Sequence, residues 1–147
     1  MSVEIAQCEW FAASTDEVWR AVEDISTHVQ WMRDAVEITF VTEQRRGVGA
    51  EFACLTKIGP LTNHDVLRVT AWQPGSVMGI EHTGVVKGDA SFTLTPDGQG
   101  TRFCWTEVLR FPWWMGGPVG ERAAKPVLGA VWRGNLRRLK TLVEAKR

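Results

Sequence analysis

The last stretch of the chain, from Pro126 to Arg147, repeats its hydrophobic residues with the period of an α-helix. At about 100° per residue, the apolar side chains fall in one half of the helical wheel and the charged ones crowd the other half. The apolar half contains Val127, Leu128, Val131, Trp132, Leu136, Leu139, Leu142 and Val143. An arc this wide predicts a helix that packs against a broad concave sheet rather than against one other helix.

Pro126 leaves two possible starts for this helix. An interior proline removes a backbone hydrogen bond and clashes with the preceding turn. Either the helix begins at Pro126, or a shorter helix from Pro118 kinks there.

Most of the remaining chain alternates with period two, which predicts strands. Between the first strand and the second, Ser14 and Glu17 form a capping box that predicts a helix over 15–24. Ser26 or Thr27 then caps a second short helix through Val29, Trp31 and Met32. The predicted strands are 3–11, 35–43, 50–58, 61–72, 77–83, 87–95 and 101–111. The element order is therefore β-α-α-β-β-β-β-β-β-α.

Short turns join six of these strands in succession, which predicts an antiparallel meander with the N-terminal strand at its edge. A twisted sheet of seven strands curls, and only the terminal helix is long enough to fill the curl. The predicted class is α+β, with residues 1–147 forming one domain of 16.5 kDa.

The charges balance, with 17 Lys and Arg against 17 Asp and Glu, which argues against binding to nucleic acid. Basic residues near the C-terminus suit a solvated helix end. No apolar run is long enough to span a membrane and no signal peptide is evident, so we expect a cytoplasmic protein. The well-separated Cys8, Cys54 and Cys104 are predicted to be buried reduced thiols.

Eight Trp and six Phe accompany no Tyr. Large rings line an apolar cavity with few mobile groups, and they also fill an ordinary core, so both interpretations stand.

Several local signatures carry a resemblance to a known group. They are the opening strand into 12–19, Trp31, the turns 46–49 and 72–75, the strand start 100–103, and 135–140 in the final helix. On these the chain resembles the START-like (helix-grip, SRPBCC) superfamily, and more narrowly its bacterial polyketide cyclase/dehydrase-like proteins. The resemblance implies a cavity between the curved sheet and the long helix, used in the superfamily for lipids, sterols and polyketides. It brings no catalytic signature that matches residues of this chain.

Metal and nucleophile chemistry find little support in the sequence. No two of His28, His64 and His82 have the spacing that places imidazoles on one helix face, and no CxxC pair occurs. The turn at Gly47-Val48-Gly49 precedes a strand, so a hairpin is favoured over a phosphate-binding loop. We expect no metal and no cofactor.

Acid/base chemistry has two candidates, because Glu107 and His82 each share a strand face with bulky apolar residues. Asn135 would descend toward them from the helix. The alternative for Glu107 is solvent or an ion pair with Arg110 or Arg68, and His82 has the alternative of a satisfied histidine at the rim.

The segment from Phe111 to Pro118 places Trp113 and Trp114 between a proline and two glycines. We expect a gate over the cavity mouth. A hydrophobic plug packed against Trp31 is the alternative.

The favoured function is binding of a hydrophobic or aromatic small molecule, such as a lipid, a sterol or a polyketide-like compound, by a monomer or homodimer. The alternatives are a cyclase or dehydratase with Glu107 or His82 as general base, and a module that binds a protein partner through the tryptophans. The predicted ligand-binding residues are Trp31, Phe40, Phe52, Val69, Ile80, His82, Phe92, Phe103, Trp105, Glu107, Trp113, Trp114, Val131 and Asn135.

Overall fold

A computed structural model describes residues 2–146, which form one seven-stranded sheet, two α-helices and two short 3-10 helices. All neighbouring strands are antiparallel, in the order β1-β7-β6-β5-β4-β3-β2. The predicted meander, with the N-terminal strand on its edge, is confirmed. The strands are β1 (Val3–Phe11), β2 (Ala35–Phe40), β3 (Glu51–Ile58), β4 (Leu61–Gln73), β5 (Val77–Thr83), β6 (Lys87–Asp97) and β7 (Gly100–Arg110).

The first helices differ in detail from the prediction. Helix α1 (Thr15–Val22) has the predicted cap, since the Ser14 hydroxyl accepts a hydrogen bond from the Glu17 backbone N–H at 3.2 Å. The second helix, Ile25–Gln30, is a 3-10 helix capped by Asp24 rather than by Ser26 or Thr27. The hydroxyls of Ser26 and Thr27 donate hydrogen bonds to Asp24, at its Oδ1 and its backbone oxygen respectively.

The terminal helix α2 covers Gly117–Glu144 and continues through Pro126, so the alternative of a start at Pro126 is wrong, whereas a start beside Pro118, as in the other alternative, is observed. An exposed proline within a packed helix loses one hydrogen bond but does not end the helix where tertiary packing holds both flanks. Arg147, the predicted last residue, lies outside the described residues.

The inner face of the sheet and one stripe of α2 form the core. The buried apolar residues of the helix are Trp132, Leu136, Leu139 and Val143, whereas Val127 and Leu142 are exposed. The buried stripe is therefore narrower than the predicted half-circle. A curved antiparallel sheet wrapped on a long C-terminal helix is the predicted helix-grip fold.

Cys8 and Cys104 form a disulfide between β1 and β7, so the prediction of reduced thiols is wrong for this pair. The two residues lie directly opposite each other in the strand register, with Cα atoms 4.1 Å apart. Their separation of 96 residues gives no sequence sign of this proximity. Cys54 is a free thiol.

None of the helices within residues 2–146 has the length and apolar character needed to cross a membrane.

Candidate functional site

A cavity of about 1000 Å³ lies between the inner face of the sheet and α2. Its wall is mainly apolar. The large apolar side chains on this wall are Phe52, Leu67, Met78, Ile80, Phe92, Trp105, Leu109, Leu128 and Trp132. They come from five strands and the helix, so the fold rather than any local motif assembles the wall.

The cavity occupies only one end of the sheet, which separates the predicted wall residues into two groups. Those that line the cavity are Phe52, Ile80, His82, Phe92, Trp105, Glu107 and Trp114. Those that do not are Trp31, Phe40, Val69, Phe103, Trp113, Val131 and Asn135. Val69 and Phe103 point inward as their parity predicts, but they are fully buried where core side chains fill the space.

Three ionisable side chains meet on the polar part of the wall. His82 on β5 contacts Asp65 on β4, with Nδ1 and Oδ2 2.6 Å apart, and Glu107 on β7, with Nε2 and Oε1 2.7 Å apart. Glu107 thus pairs with neither Arg110 nor Arg68, and Arg68 instead pairs with Glu81. The Asp65-His82-Glu107 arrangement, hereafter the triad, links three inward-facing positions by hydrogen bonds.

Small residues on β6 allow the triad to form across an intervening strand. Strand β6 separates β5 from β7, so the two strands that carry His82 and Glu107 lie two strand spacings, about 9–10 Å, apart. The β6 partner of His82 is Gly88, and that of Glu107 is Ala90. Because neither carries a bulky side chain, the imidazole and the carboxylate meet above β6.

Asp65 is held by a second contact. Its Oδ1 accepts a hydrogen bond from the Gly84 backbone N–H at 3.0 Å, and a Cβ at position 84 would collide with that oxygen. Both Asp65 oxygens therefore have donors, which fixes the carboxylate against Nδ1 of His82.

Burial and hydrogen bonding set the protonation of the triad. Burial alone would lower the pKa of His82, but the hydrogen bonds and negative charges of Asp65 and Glu107 outweigh it and raise the pKa to about 10. Burial raises the pKa of Glu107, against the opposing effect of His82. The short Nε2–Oε1 contact is thus a place where a proton is held between an imidazole and a carboxylate.

Asn135 lies beside the cavity rather than on its wall. Its Oδ1 accepts hydrogen bonds from the Arg33 backbone N–H and the Arg138 guanidinium, and its Nδ2 donates to Asp34 Oδ1 at 2.8 Å. This fully buried amide ties α2 to the start of β2. Asp34, its acceptor, does line the cavity.

Sequence reasoning missed Asp34, Asp65 and Cys54 on the wall. Asp65 carried a usable signal, since it shares the parity of Leu67 and Val69. Cys54 carried one too, since it shares the parity of the predicted Phe52, whereas Asp34 carried none, because it lies in the loop before β2. Burial raises the pKa of the Cys54 thiol to about 11, so it is no thiolate nucleophile at neutral pH.

The tryptophan segment is a short 3-10 helix, Trp113–Met115, next to the cavity. Trp113 is 86% exposed and Trp114 62%, so the alternative of a plug packed against Trp31 is wrong. Trp114 and Met115 contribute to the wall. The buried Glu121 anchors the segment, because its Oε1 accepts a hydrogen bond from the Phe111 backbone N–H at 3.0 Å.

Across residues 2–146, no group of three or more His, Cys, Asp and Glu side chains is arranged to hold a metal ion.

Comparison with known proteins matches residues 7–144 to the family described as polyketide cyclase/dehydrase and lipid transport. No curated protein matches the sequence. A solved structure of a Thermus thermophilus protein is similar, with a TM-score of 0.82, 13% identity, and coverage of 98% of this chain and 99% of that one. A START superfamily protein from Mycobacterium smegmatis has a TM-score of 0.81, 15% identity, and coverage of 98% and 99%.

The di-domain ARO/CYC StfQ of the steffimycin biosynthetic pathway has a TM-score of 0.81 and 14% identity. The alignment covers 99% of this chain but 52% of StfQ, so this chain corresponds to about half of that protein. At these identities the structural likeness shows a shared fold.

Proposed function

We propose, since the chain belongs to the polyketide cyclase/dehydrase and lipid transport family, that it binds a hydrophobic or aromatic small molecule such as a lipid, a sterol or a polyketide-like compound. The observation that carries this proposal is the cavity of about 1000 Å³ with its apolar wall. Binding pockets for small molecules typically have volumes of about 300–1,000 Å³ and a few polar groups on an apolar wall. The triad supplies those polar groups.

A cavity-filling substitution tests the proposal. Ala124 lies on the part of α2 that lines the cavity, so Ala124→Phe places a ring in the ligand's space. We expect at least tenfold weaker binding of a neutral fluorescent probe, N-phenyl-1-naphthylamine, measured by its emission.

Ala130→Phe is the matched control, because Ala130 is an exposed residue of the same helix and does not line the cavity. Its affinity for the probe should equal that of the wild type. Equal binding by both variants would mean that the probe sits elsewhere, and the proposal would fail.

A second candidate function, catalysis of cyclisation or dehydration, is favoured by one observation: the 2.7 Å contact between His82 Nε2 and Glu107 Oε1 on the wall. With Glu107 ionised, the carboxylate removes a proton from the carbon beside a ligand carbonyl. The resulting enolate attacks a second carbonyl carbon of the same molecule, a C–C bond forms, and the new alkoxide takes the proton back from the Glu107 carboxyl, which His82 holds in place. Loss of the hydroxyl with an adjacent proton then gives a C=C bond and water.

Glu107→Gln separates catalysis from binding. The amide keeps the shape of the side chain but accepts no proton from carbon, so turnover of a poly-β-ketone thioester should fall at least 100-fold while probe affinity changes little. Glu81→Gln, the same substitution at a half-exposed position outside the wall, should leave turnover unchanged. Product formation is followed by mass spectrometry, and no turnover by the wild type would leave binding as the function.

A further inference from the structure

Apart from the His82 imidazolium, the charged residues of the cavity wall are acidic. Asp34, Asp65 and Glu107 line the cavity, and no Lys or Arg of residues 2–146 does. An anion taken out of water requires a cationic or hydrogen-bond-donating partner, because burial of an uncompensated charge is costly. The cation that the wall does hold, the His82 imidazolium, already has both ring nitrogens bound to carboxylates, so it has no N–H left for an anionic ligand.

The histidines of the wall do not reverse this balance. His28 is buried, and burial lowers its pKa to about 4, so it is neutral at pH 7. His64 is exposed at the edge of the wall. A fully charged His82 supplies one positive charge against the carboxylates of Asp34, Asp65 and Glu107, so the net charge of these four groups stays negative while at least two of the three carboxylates are ionised.

The carboxylate oxygens left on the wall favour a hydrogen-bond donor in the ligand. Asp34 uses Oδ1 on the Asn135 amide, and Glu107 uses Oε1 on His82. The second oxygen of each carboxylate receives no hydrogen bond from residues 2–146. His82, the cation of the triad, already has both nitrogens bound to carboxylates. The wall therefore retains carboxylate acceptors. It also carries donors, the hydroxyl and amide groups of Thr56, Thr62, Asn63 and Ser91 and the unpartnered Trp105 Nε1, so the case against an anion rests on charge rather than on a shortage of donors.

We propose that the cavity discriminates against carboxylates and other anions and takes a neutral or cationic apolar molecule that donates a hydrogen bond. The inference rests on the proposed function, binding of a hydrophobic small molecule, and specifies its chemistry. It predicts that fatty alcohols, amides and amines, and phenols, bind in the cavity. Fatty acids are excluded by the negative charge of the carboxylate, although they have the same tail as the fatty alcohols, amides and amines.

Three ligands with one tail and different head groups test the charge selectivity. Decanoate, decanamide and decylamine are compared at pH 7 by displacement of N-phenyl-1-naphthylamine. We expect the amide and the amine to bind about tenfold more tightly than decanoate, since like charges within several ångströms repel in a medium of intermediate dielectric constant. Decanoate binding as tightly as decanamide would overturn the inference while leaving the proposed function intact.

An Asp→Asn pair identifies the source of the selectivity. Asp34→Asn removes a wall charge and keeps an oxygen for the Asn135 amide, so the gap between decanamide and decanoate should narrow about threefold. Asp89→Asn changes an exposed residue of β6 outside the wall and should leave the gap unchanged. Equal narrowing by both variants would overturn the inference.

The wild-type comparison stands even if Asp34→Asn does not fold, because the order of the three ligands needs no variant. If the probe binds nowhere and none of the three ligands raises the melting temperature, the proposed function fails, and the inference fails with it.

Discussion

At the scale of single residues, His82 carries the chemistry of the cavity. Its two ring nitrogens lie 2.6 Å from Asp65 Oδ2 and 2.7 Å from Glu107 Oε1. Glu107 and His82 were predictable, since each shares a strand face with apolar neighbours. Asn135 was predicted for the wall from helix phase alone. It lies beside the cavity because its amide forms three hydrogen bonds there, with the Arg33 backbone, Asp34 and Arg138. A buried amide is stable only where its donors and acceptors have partners.

Because the pKa of His82 is raised in the folded protein, the unfolding free energy should fall at alkaline pH. The pKa is about 10 in the folded protein and about 6.5 in an unfolded chain. A raised pKa adds stability that is fully present below about pH 6.5 and is lost as pH rises through about 10. Urea unfolding between pH 7 and 10.5 should show a steeper loss of stability for the wild type than for His82→Gln.

His64→Gln is the control for this comparison, because His64 is exposed and is not a partner in the hydrogen bonds of the triad. It should follow the wild-type profile. Parallel profiles of the wild type and His82→Gln would contradict the charged imidazole.

At the scale of elements, strand β6 and helix α2 decide what the cavity can hold. Gly88 and Ala90 on β6 leave room for the triad, and the N-terminal half of α2 covers the cavity. The sequence pattern predicted both elements. It left the start of α2 open between Pro118 and Pro126, because the sequence does not tell whether packing offsets an interior proline. Packing on both sides of Pro126 overrides the one lost hydrogen bond, and the helix begins at Gly117.

The tryptophan segment between β7 and α2 is proposed to act as a gate. Trp113 and Trp114 are mostly exposed, so their replacement by Ala removes little buried surface and should change the melting temperature little. Ligand exchange should become faster, because opening no longer moves the ring of Trp114, which lines the cavity. Stopped-flow release of N-phenyl-1-naphthylamine measures the rate.

Trp31→Ala provides the buried reference. Trp31 is 1% exposed and lies off the wall, so its truncation should cost about 3–5 kcal/mol of unfolding free energy. A comparable loss of stability in the Trp113→Ala, Trp114→Ala variant, without faster release, would refute the gate.

At the scale of the whole molecule, the sequence predicts the inner face of the sheet but not where that face is filled. Strand parity correctly turns Val69, Phe103 and Ile80 inward. Only Ile80 borders the cavity, because α1 and the first 3-10 helix occupy the other end of the sheet with Trp19, Ile25 and their neighbours. Which part of the inner face is core and which is cavity depends on the helices that pack over each end of the sheet. The periodicity of a single strand carries no information about that packing.

The Cys8–Cys104 disulfide joins the edge strand β1 to β7 on the sheet and closes a loop of most of the chain. The bond was not predictable from a spacing of 96 residues. A cross-link across a long loop restricts the unfolded chain, so Cys8→Ser with Cys104→Ser should lower the unfolding free energy by about 2–4 kcal/mol in urea.

Reduction distinguishes the effect of the disulfide bond on stability from the effect of replacing the two cysteine side chains. Dithiothreitol should bring the wild type down to the stability of the double variant and leave the double variant unchanged, since Cys54 has no partner for a disulfide among the described residues. Mass spectrometry after alkylation should count one free thiol in the untreated wild type and three after reduction in urea. Three alkylated thiols before reduction would contradict the disulfide, and the expectation of a reducing compartment would then gain support.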